Sequence, residues 1–214
     1  MNERTKKLTT VAMLCAIAYV VMAVSRIPLV LFLKYEPKDV IITIGGFIYG
    51  PLTACTISVI VSLAEMLTVS DTGFIGLVMN ILSSCTFACT ASFIYKKKHT
   101  LSGAVYGLVT GWLLTTAIML LWNYFITPIY MGYPREAVAQ LLIPAFLPFN
   151  LLKGALNGSF TLLLYKPLVN ALRKSNLVPT VESNAKTRNI GIILVSSIVV
   201  ITCLLLVLVM QKVI

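Results

Sequence analysis

The sequence predicts an all-α polytopic membrane protein, a six-helix bundle followed by one extra C-terminal transmembrane helix. Three observations carry this expectation. The 214-residue chain is 58% hydrophobic and 11% charged, where a soluble domain is about 45–50% apolar and about 25% charged. Its mean hydropathy is +0.94. Apolar runs close to the roughly 20 residues needed to cross a bilayer core recur along the chain. A water-soluble globule and a disordered chain are both excluded.

The first run, Leu8 to Ser25, follows the basic residues Arg4, Lys6 and Lys7. Ala16-Ile17-Ala18 has the small-x-small pattern of a signal-peptide cleavage site, but the apolar run continues to Val24, so an uncleaved span is expected. The second run, Val40 to Gly50, is short for a crossing. It stops at Gly50-Pro51, where Pro51 opens the third helix, Pro51 to Val69, as its first residue. The fourth and fifth runs, Phe74 to Tyr95 and Leu101 to Thr127, flank Lys96-Lys97-Lys98-His99. The sixth, Leu141 to Tyr165, is expected to begin in earnest at Pro144. Ser175 to Lys186, polar and interrupted by Pro179, reads as a cytoplasmic linker, and Ile190 to Met210 as an aliphatic, lipid-facing anchor. The expected organisation is a membrane domain over 1–174, a linker over 175–189 and the additional helix over 190–214. No inverted internal repeat of transporter type is visible.

Charge sets the orientation. The net charge is +10, from 17 Lys and Arg against 7 Asp and Glu, and in a membrane protein basic residues mark the cytoplasmic side. Placing the N-terminal cluster and Lys96 to Lys98 on that side requires an even number of crossings between them, which makes Val40 to Gly50 a crossing. Arg173, Lys174, Lys186 and Arg188 then also lie inside, with Lys166 at the helix end. Arg26, Lys34, Lys38, Arg135 and Lys212 become outer flanks, beside the acids Glu36, Asp39, Asp71 and Glu136. The N-terminus is expected in the cytoplasm and the C-terminus outside.

Catalytic and metal chemistry have no foothold. Cys15, Cys55, Cys85, Cys89 and Cys203 all lie within apolar runs, and the lone histidine leaves no plausible metal set. They read as packing residues. No Gly-Lys dipeptide supports an ATPase-type phosphate loop, and no Ser, His and acid constellation suggests nucleophilic catalysis. The chain is expected to be no enzyme, to hold no metal and no nucleic acid, and to draw energy from another subunit or a gradient.

Ionisable residues inside spans cost about 2.5–3.5 kcal/mol on insertion scales and mark functional sites by default. Lys153 and Glu65 qualify. Lys153 either snorkels toward water or is an inward cation kept for a ligand or for Glu65. Asn150, Lys153 and Asn157 share one helix face at i, i+3 and i+7. Lipid cannot satisfy such a stripe, so it faces protein or ligand; interhelical hydrogen bonds would equally explain the asparagines. With the expected topology, Glu65, Asn80, Asn123, Asn150 and Lys153 lie at similar depth near the outer side. That describes an outward-open pocket, with Trp122, Tyr124, Tyr130, Tyr133 and Phe149 available to line it. Such a pocket suits a small planar heterocycle with carbonyl and N–H edges.

Small residues form a second pattern. Ala12 and Ala16 lie one turn apart, and Gly103, Gly107 and Gly111 keep the same spacing, which permits close helix approach. Packing within the bundle explains the glycines. For the alanines, docking onto another membrane protein is an alternative.

Together these motifs resemble the substrate-binding S components of energy-coupling factor (ECF) vitamin transporters, in particular the riboflavin-specific RibU type. The resemblance covers about residues 8 to 174. It rests on Ala12-Met-Leu-Cys-Ala16, Lys34-Tyr-Glu-Pro-Lys-Asp39, Ile44-Gly-Gly-Phe-Ile-Tyr-Gly-Pro51 and Gly76-Leu-Val-Met-Asn80. Most specific are Asn123-Tyr-Phe-Ile-Thr-Pro128-Ile-Tyr130 and Leu147-Pro-Phe-Asn150-Leu-Leu-Lys153-Gly-Ala-Leu-Asn157. The resemblance implies capture of riboflavin, as cargo and not as cofactor, with Asn123, Asn150 and Lys153 matching the family's ligand contacts. The ring would lie between helices four to six, under the loop from Tyr35 to Asp39. Asn80, Glu65 and Asp39 complete the candidate set. A membrane T component and two cytoplasmic ATPases are the implied partners, with Ala12 and Ala16 in the docking face. The seventh helix departs from the family's six-helix pattern.

Overall fold

In the computed structural model, residues 2–30, 33–70, 72–177 and 190–210 are described. Asp71, Lys186, Arg188, Lys212 and the linker from residue 178 onward lie outside them. The first helix, α1 (Glu3–Val24), leads into a short antiparallel hairpin, β1 (Ile27–Val30) and β2 (Leu33–Tyr35), which pairs Ile27 with Tyr35 and Pro28 with Lys34. This hairpin is an addition to the all-helical expectation. Its strands are only a few residues long, and Pro28 keeps β1 a sheet edge.

Helix α2 (Lys38–Tyr49) is 12 residues long, and everything from Lys38 to Phe47 is buried. At about 1.5 Å per residue it spans about 18 Å, less than a bilayer core. It survives as a central element because α1, α3, α4 and α8 surround it. Gly50, at φ +95° and ψ 172°, occupies a backbone region essentially reserved for glycine and turns the chain into α3 (Pro51–Thr68), where Pro51 takes the first turn.

Helix α4 (Gly73–Lys98) carries Lys96, Lys97 and Lys98 in its last turn, where cations complement the helix dipole. His99 in the left-handed conformation ends it. Helix α5 (Leu101–Phe125) begins at Thr100, whose side chain accepts a hydrogen bond from the Gly103 amide, a regular N-cap. The α4 and α5 backbones meet at the glycine stripe. A Cβ added at Gly107 would come within 2.6 Å of the Ala91 carbonyl oxygen, and one at Gly111 within 2.7 Å of that of Phe87. The stripe is therefore a packing seam between α4 and α5.

After the short α6 (Thr127–Met131) and α7 (Arg135–Leu141), a π-helical segment, Leu142–Phe146, joins α8 (Leu147–Lys174). The last long stretch of the bundle thus runs unbroken from Arg135 to Lys174 and does not begin at Pro144. Pro144 lacks the N–H that an α-helix would use at that point, and the wider π register absorbs the loss. Among the described residues, five helical stretches (α1, α3, α4, α5 and Arg135–Lys174) are long and apolar enough to cross a membrane. The final helix, α9 (Ile190–Met210), lies along α8 and reaches β1.

The two ends of the bundle differ. At one, Lys7 sits 5.6 Å from the Tyr49 ring centroid, Tyr49 and Thr10 both donate to the Leu177 carbonyl, and Lys96 approaches Gly50. At the other, Tyr19 donates to Thr68 at 2.9 Å and Arg26 reaches the Val69 carbonyl. Helix α2 runs from the second end to the first.

Candidate functional site

A cavity of about 330 Å³ opens at the hairpin end of the bundle. Five of the six candidate residues line it: Glu65 from α3, Asn80 from α4, Asn123 from α5, and Asn150 and Lys153 from α8. Convergence from four helices follows from their placement. Each side chain lies within a few turns of the end of its helix that faces the hairpin. The sixth, Asp39, stands directly behind Lys153, with Lys153 Nζ 3.5 Å from Asp39 Oδ2.

Two polar networks frame this space. In the first, Arg26 Nε and Lys38 Nζ each lie 2.8 Å from a Glu36 oxygen. Lys38 also pairs closely with Glu65, while Arg26 Nη2 approaches Glu65 at 3.6 Å. Asn80 Nδ2 donates to the same carboxylate at 2.9 Å. Two cations and two carboxylates thus close a neutral square that ties the hairpin and the turn after it to α3. Burial pushes the Glu36 carboxyl up, but the Lys38 charge and the hydrogen bonds from Lys38 and Arg26 outweigh it and hold the group below its usual range. Lys38, expected as an outer flank, is 1% exposed. It is a structural ion, buried because its three donors are needed between two buried acids.

The second network holds Asp39. Ser84 donates to its Oδ1, and Asn157 Nδ2 to its Oδ2 at 3.1 Å. The Tyr35 hydroxyl donates to Asn157 Oδ1 at 3.0 Å. Burial, reinforced by the Asp39 carboxylate, keeps the Tyr35 hydroxyl well above the usual phenol range, so it remains a donor. Lys153 is set by this network and not by Glu65, which is taken by Lys38 and Arg26. Its contacts are long: 3.5 Å to Asp39 and 3.4 Å to Ser83 Oγ. Good hydrogen bonds of this type run to about 3.2 Å, so the ammonium keeps donor capacity for a molecule in the cavity.

The asparagine stripe divides. Asn150 and Lys153 face the cavity, while Asn157 sits one turn deeper as a relay between Tyr35 and Asp39. Asn123 and Asn150 each donate Nδ2 to a carbonyl one turn back, Met119 at 2.7 Å and Phe146 at 2.8 Å. Asn123 Oδ1 also accepts from Thr127 at 3.0 Å. Of the five aromatics expected to line the pocket, Phe149 and Tyr130 do so. Trp122, Tyr124 and Tyr133 do not line it: Tyr124 meets Phe125 edge to face with centroids 4.9 Å apart, and Tyr133 is 55% exposed. Trp122 and Tyr124 flank Asn123 on α5 and so point to other faces of that helix, while Tyr133 lies in the loop between α6 and α7.

The remaining apolar lining is Leu33 of the hairpin and three methionines, Met79, Met119 and Met131. Sequence reasoning passed over all of them. Met79 adjoins Asn80, and Met119 lies one turn before Asn123, so the i, i+4 rule applied to the asparagine would have found it. Flexible thioethers and aromatic rings make an apolar wall that adapts to a flat ring, and the amides and the ammonium supply donors and acceptors along its edges. A cavity of this size and composition matches a small-molecule site. Among the described residues no group of His, Cys, Asp or Glu could hold a metal ion.

Comparison with known proteins gives a consistent result. The family model for the substrate-specific component of ECF transporters matches residues 6–165. The chain is 30% identical over 182 residues to the riboflavin transporter RibU of Streptococcus thermophilus, covering 79% of this chain and 86% of that protein. It is 29% identical to RibU of Staphylococcus aureus, over 80% of this chain and 95% of the relative. With the riboflavin transporter FmnP of Bacillus subtilis it shares 28% identity over 81% and 99% of the two chains. A solved structure of the S component of a bacterial ECF transporter superposes with a TM-score of 0.69 at 28% identity, covering 79% of this chain and 99% of that one.

Proposed function

This chain belongs to the substrate-specific components of ECF transporters, and from that premise we propose that it is the riboflavin-binding subunit of such a transporter. The observation that carries the reading is the convergence of Glu65, Asn80, Asn123, Asn150 and Lys153 on one cavity walled by Met79, Met119, Met131, Phe149 and Tyr130. Riboflavin presents a flat tricyclic ring, a carbonyl and N–H edge, and a polyhydroxylated tail. The methionines and aromatics pack on the ring faces. Asn123, Asn150 and Lys153 meet its polar edge, where an amide both donates and accepts and the ammonium donates to a carbonyl. Asp39 positions Lys153, and Glu65 with Asn80 borders the tail. Riboflavin is cargo here, not a cofactor.

The chain binds and a partner complex supplies the energy. Its family membership supports a membrane T component and two cytoplasmic ATPases, and Ala12 and Ala16, both exposed on α1, support a docking face on that helix. The basic clusters of the N-terminus and of Lys96 to Lys98 support a cytoplasmic position for their end of the bundle, which on this reading turns the cavity outward and ends α9 outside. Protein purified from a riboflavin-containing host is expected to be yellow, with bound-flavin absorbance and quenched fluorescence. Colourless protein that fails to bind added riboflavin would falsify the reading.

A further inference from the structure

Helix α9 lies beyond residue 165, where the match to the family model ends, and it does more than coat α8. It buries Cys203 and Val207 in the cluster that contains Leu29, Leu152 and Leu156. Between α9 and α1 it leaves a crevice of about 610 Å³ under the hairpin, walled by Val21, Leu29, Val40, Leu156, Phe160 and Val207 among others. Of the described residues lining it, only Ser25 and Tyr35 carry a polar side-chain atom, and the Tyr35 hydroxyl is committed to Asn157. Leu164 and Leu204 at its margin are 43% and 44% exposed. The crevice therefore opens sideways, toward whatever surrounds the helices.

Three physical points select the occupant. A buried water needs two to four polar partners, and an engineered apolar cavity of about 150 Å³ stays dry and takes apolar guests; this space is several times larger. In a multi-pass membrane protein the medium beside α1, α8 and α9 is hydrocarbon. The lining is also elongated, running on α8 from Leu156 to Leu164, about 12 Å along the axis at 1.5 Å per residue. A slot of that shape fits a chain and not a ring. We propose that this crevice is a lipid site that seats one acyl chain of a glycerophospholipid from the leaflet on the hairpin side, with α9 as its outer wall. The seated chain packs beneath Leu29 and Tyr35, the residues that hold the hairpin over the cavity. This inference rests on the membrane location of the chain and not on the identity of its ligand.

The test uses the full-length protein in nanodiscs of palmitoyl-oleoyl-phosphatidylglycerol, extracted into mild detergent and weighed by native mass spectrometry. The wild-type chain is expected to retain one phospholipid. In L204W/L208W, indoles fill the slot from α9, and retention is expected to fall about tenfold or more, equivalent to about 1.4 kcal/mol of binding. Leu194→Trp, on an exposed position of α9 outside the crevice, is expected to keep the lipid. A photocrosslinking residue at position 204 gives a second measurement and is expected to label phospholipid. A wild-type chain free of lipid, a double variant that retains it undiminished, or crosslinks to a partner helix or a second copy would each overturn the proposal.

Discussion

Lys38 and Lys153 are both cations at the hairpin end, and their surroundings give them different work. Lys38 lies between Glu36 and Glu65 at close range and has no route to solvent. Lys38→Met leaves two buried carboxylates with Arg26 alone, and breaking a buried pair from one side costs about 3–5 kcal/mol. A marked drop in thermal midpoint in detergent is expected, and Glu65→Gln added to it should recover part of the loss. Lys153, held only by long contacts, is the one available to a ligand. Lys153→Ala and Asn150→Ala are each expected to weaken riboflavin binding by about ten- to a hundredfold, the worth of a hydrogen bond to a charged or buried group, without preventing membrane insertion. Titration of flavin fluorescence measures this, and unchanged affinity in both would remove the site assignment. Glu36 supplies a pH dependence. Its folded pKa lies below the unfolded value, which is about 4.3. Its contribution to stability is therefore fully present above that value and lost as pH falls through the folded one. Glu36→Gln should flatten this acid limb of thermal stability.

At the level of elements, the sequence showed what periodicity can show. The apolar runs match α1, α3, α4, α5 and α8 because a bilayer demands length and continuity, both of which composition records. The polar stripe on α8 was legible because i, i+3 and i+7 positions share a face whatever they touch. Partners across helices were not legible. Nothing in the spacing of Lys153 distinguishes Asp39 from Glu65, and nothing near Lys38 marks it as buried, since a Lys beside a Pro reads as a loop. The hairpin was missed because its strands are too short to show alternation. The stretch from Arg135 was missed because Arg135-Glu136 reads as solvent-exposed, while Pro144 reads as a helix start when a π segment absorbs it. The glycine seam gives the sharpest test at this scale. Gly107→Val places side-chain carbon against the Ala91 carbonyl oxygen, where even a Cβ would approach to 2.6 Å. Overpacking of this kind costs about 1–3 kcal/mol, so lower thermal stability is expected in a melting assay in detergent.

Across the whole molecule, the cavity at the hairpin end and the exposed face of α1 serve separate purposes on the proposed function. Ala12 and Ala16 are exposed on the same helix as Leu8, Val20 and Val24, which are 71%, 55% and 81% exposed, and none of these residues lines the ligand cavity. Small residues on such a face let a partner helix come close. A tryptophan at Ala12 or Ala16 projects into surroundings and not into the core, so it leaves the fold and the cavity intact. Ala12→Trp and Ala16→Trp are therefore expected to keep wild-type flavin affinity in purified protein while riboflavin uptake by cells carrying the complete transporter falls. The two measurements separate docking from binding: a loss of both would place the alanines in the fold, and normal uptake in both variants would move the docking face elsewhere on the bundle.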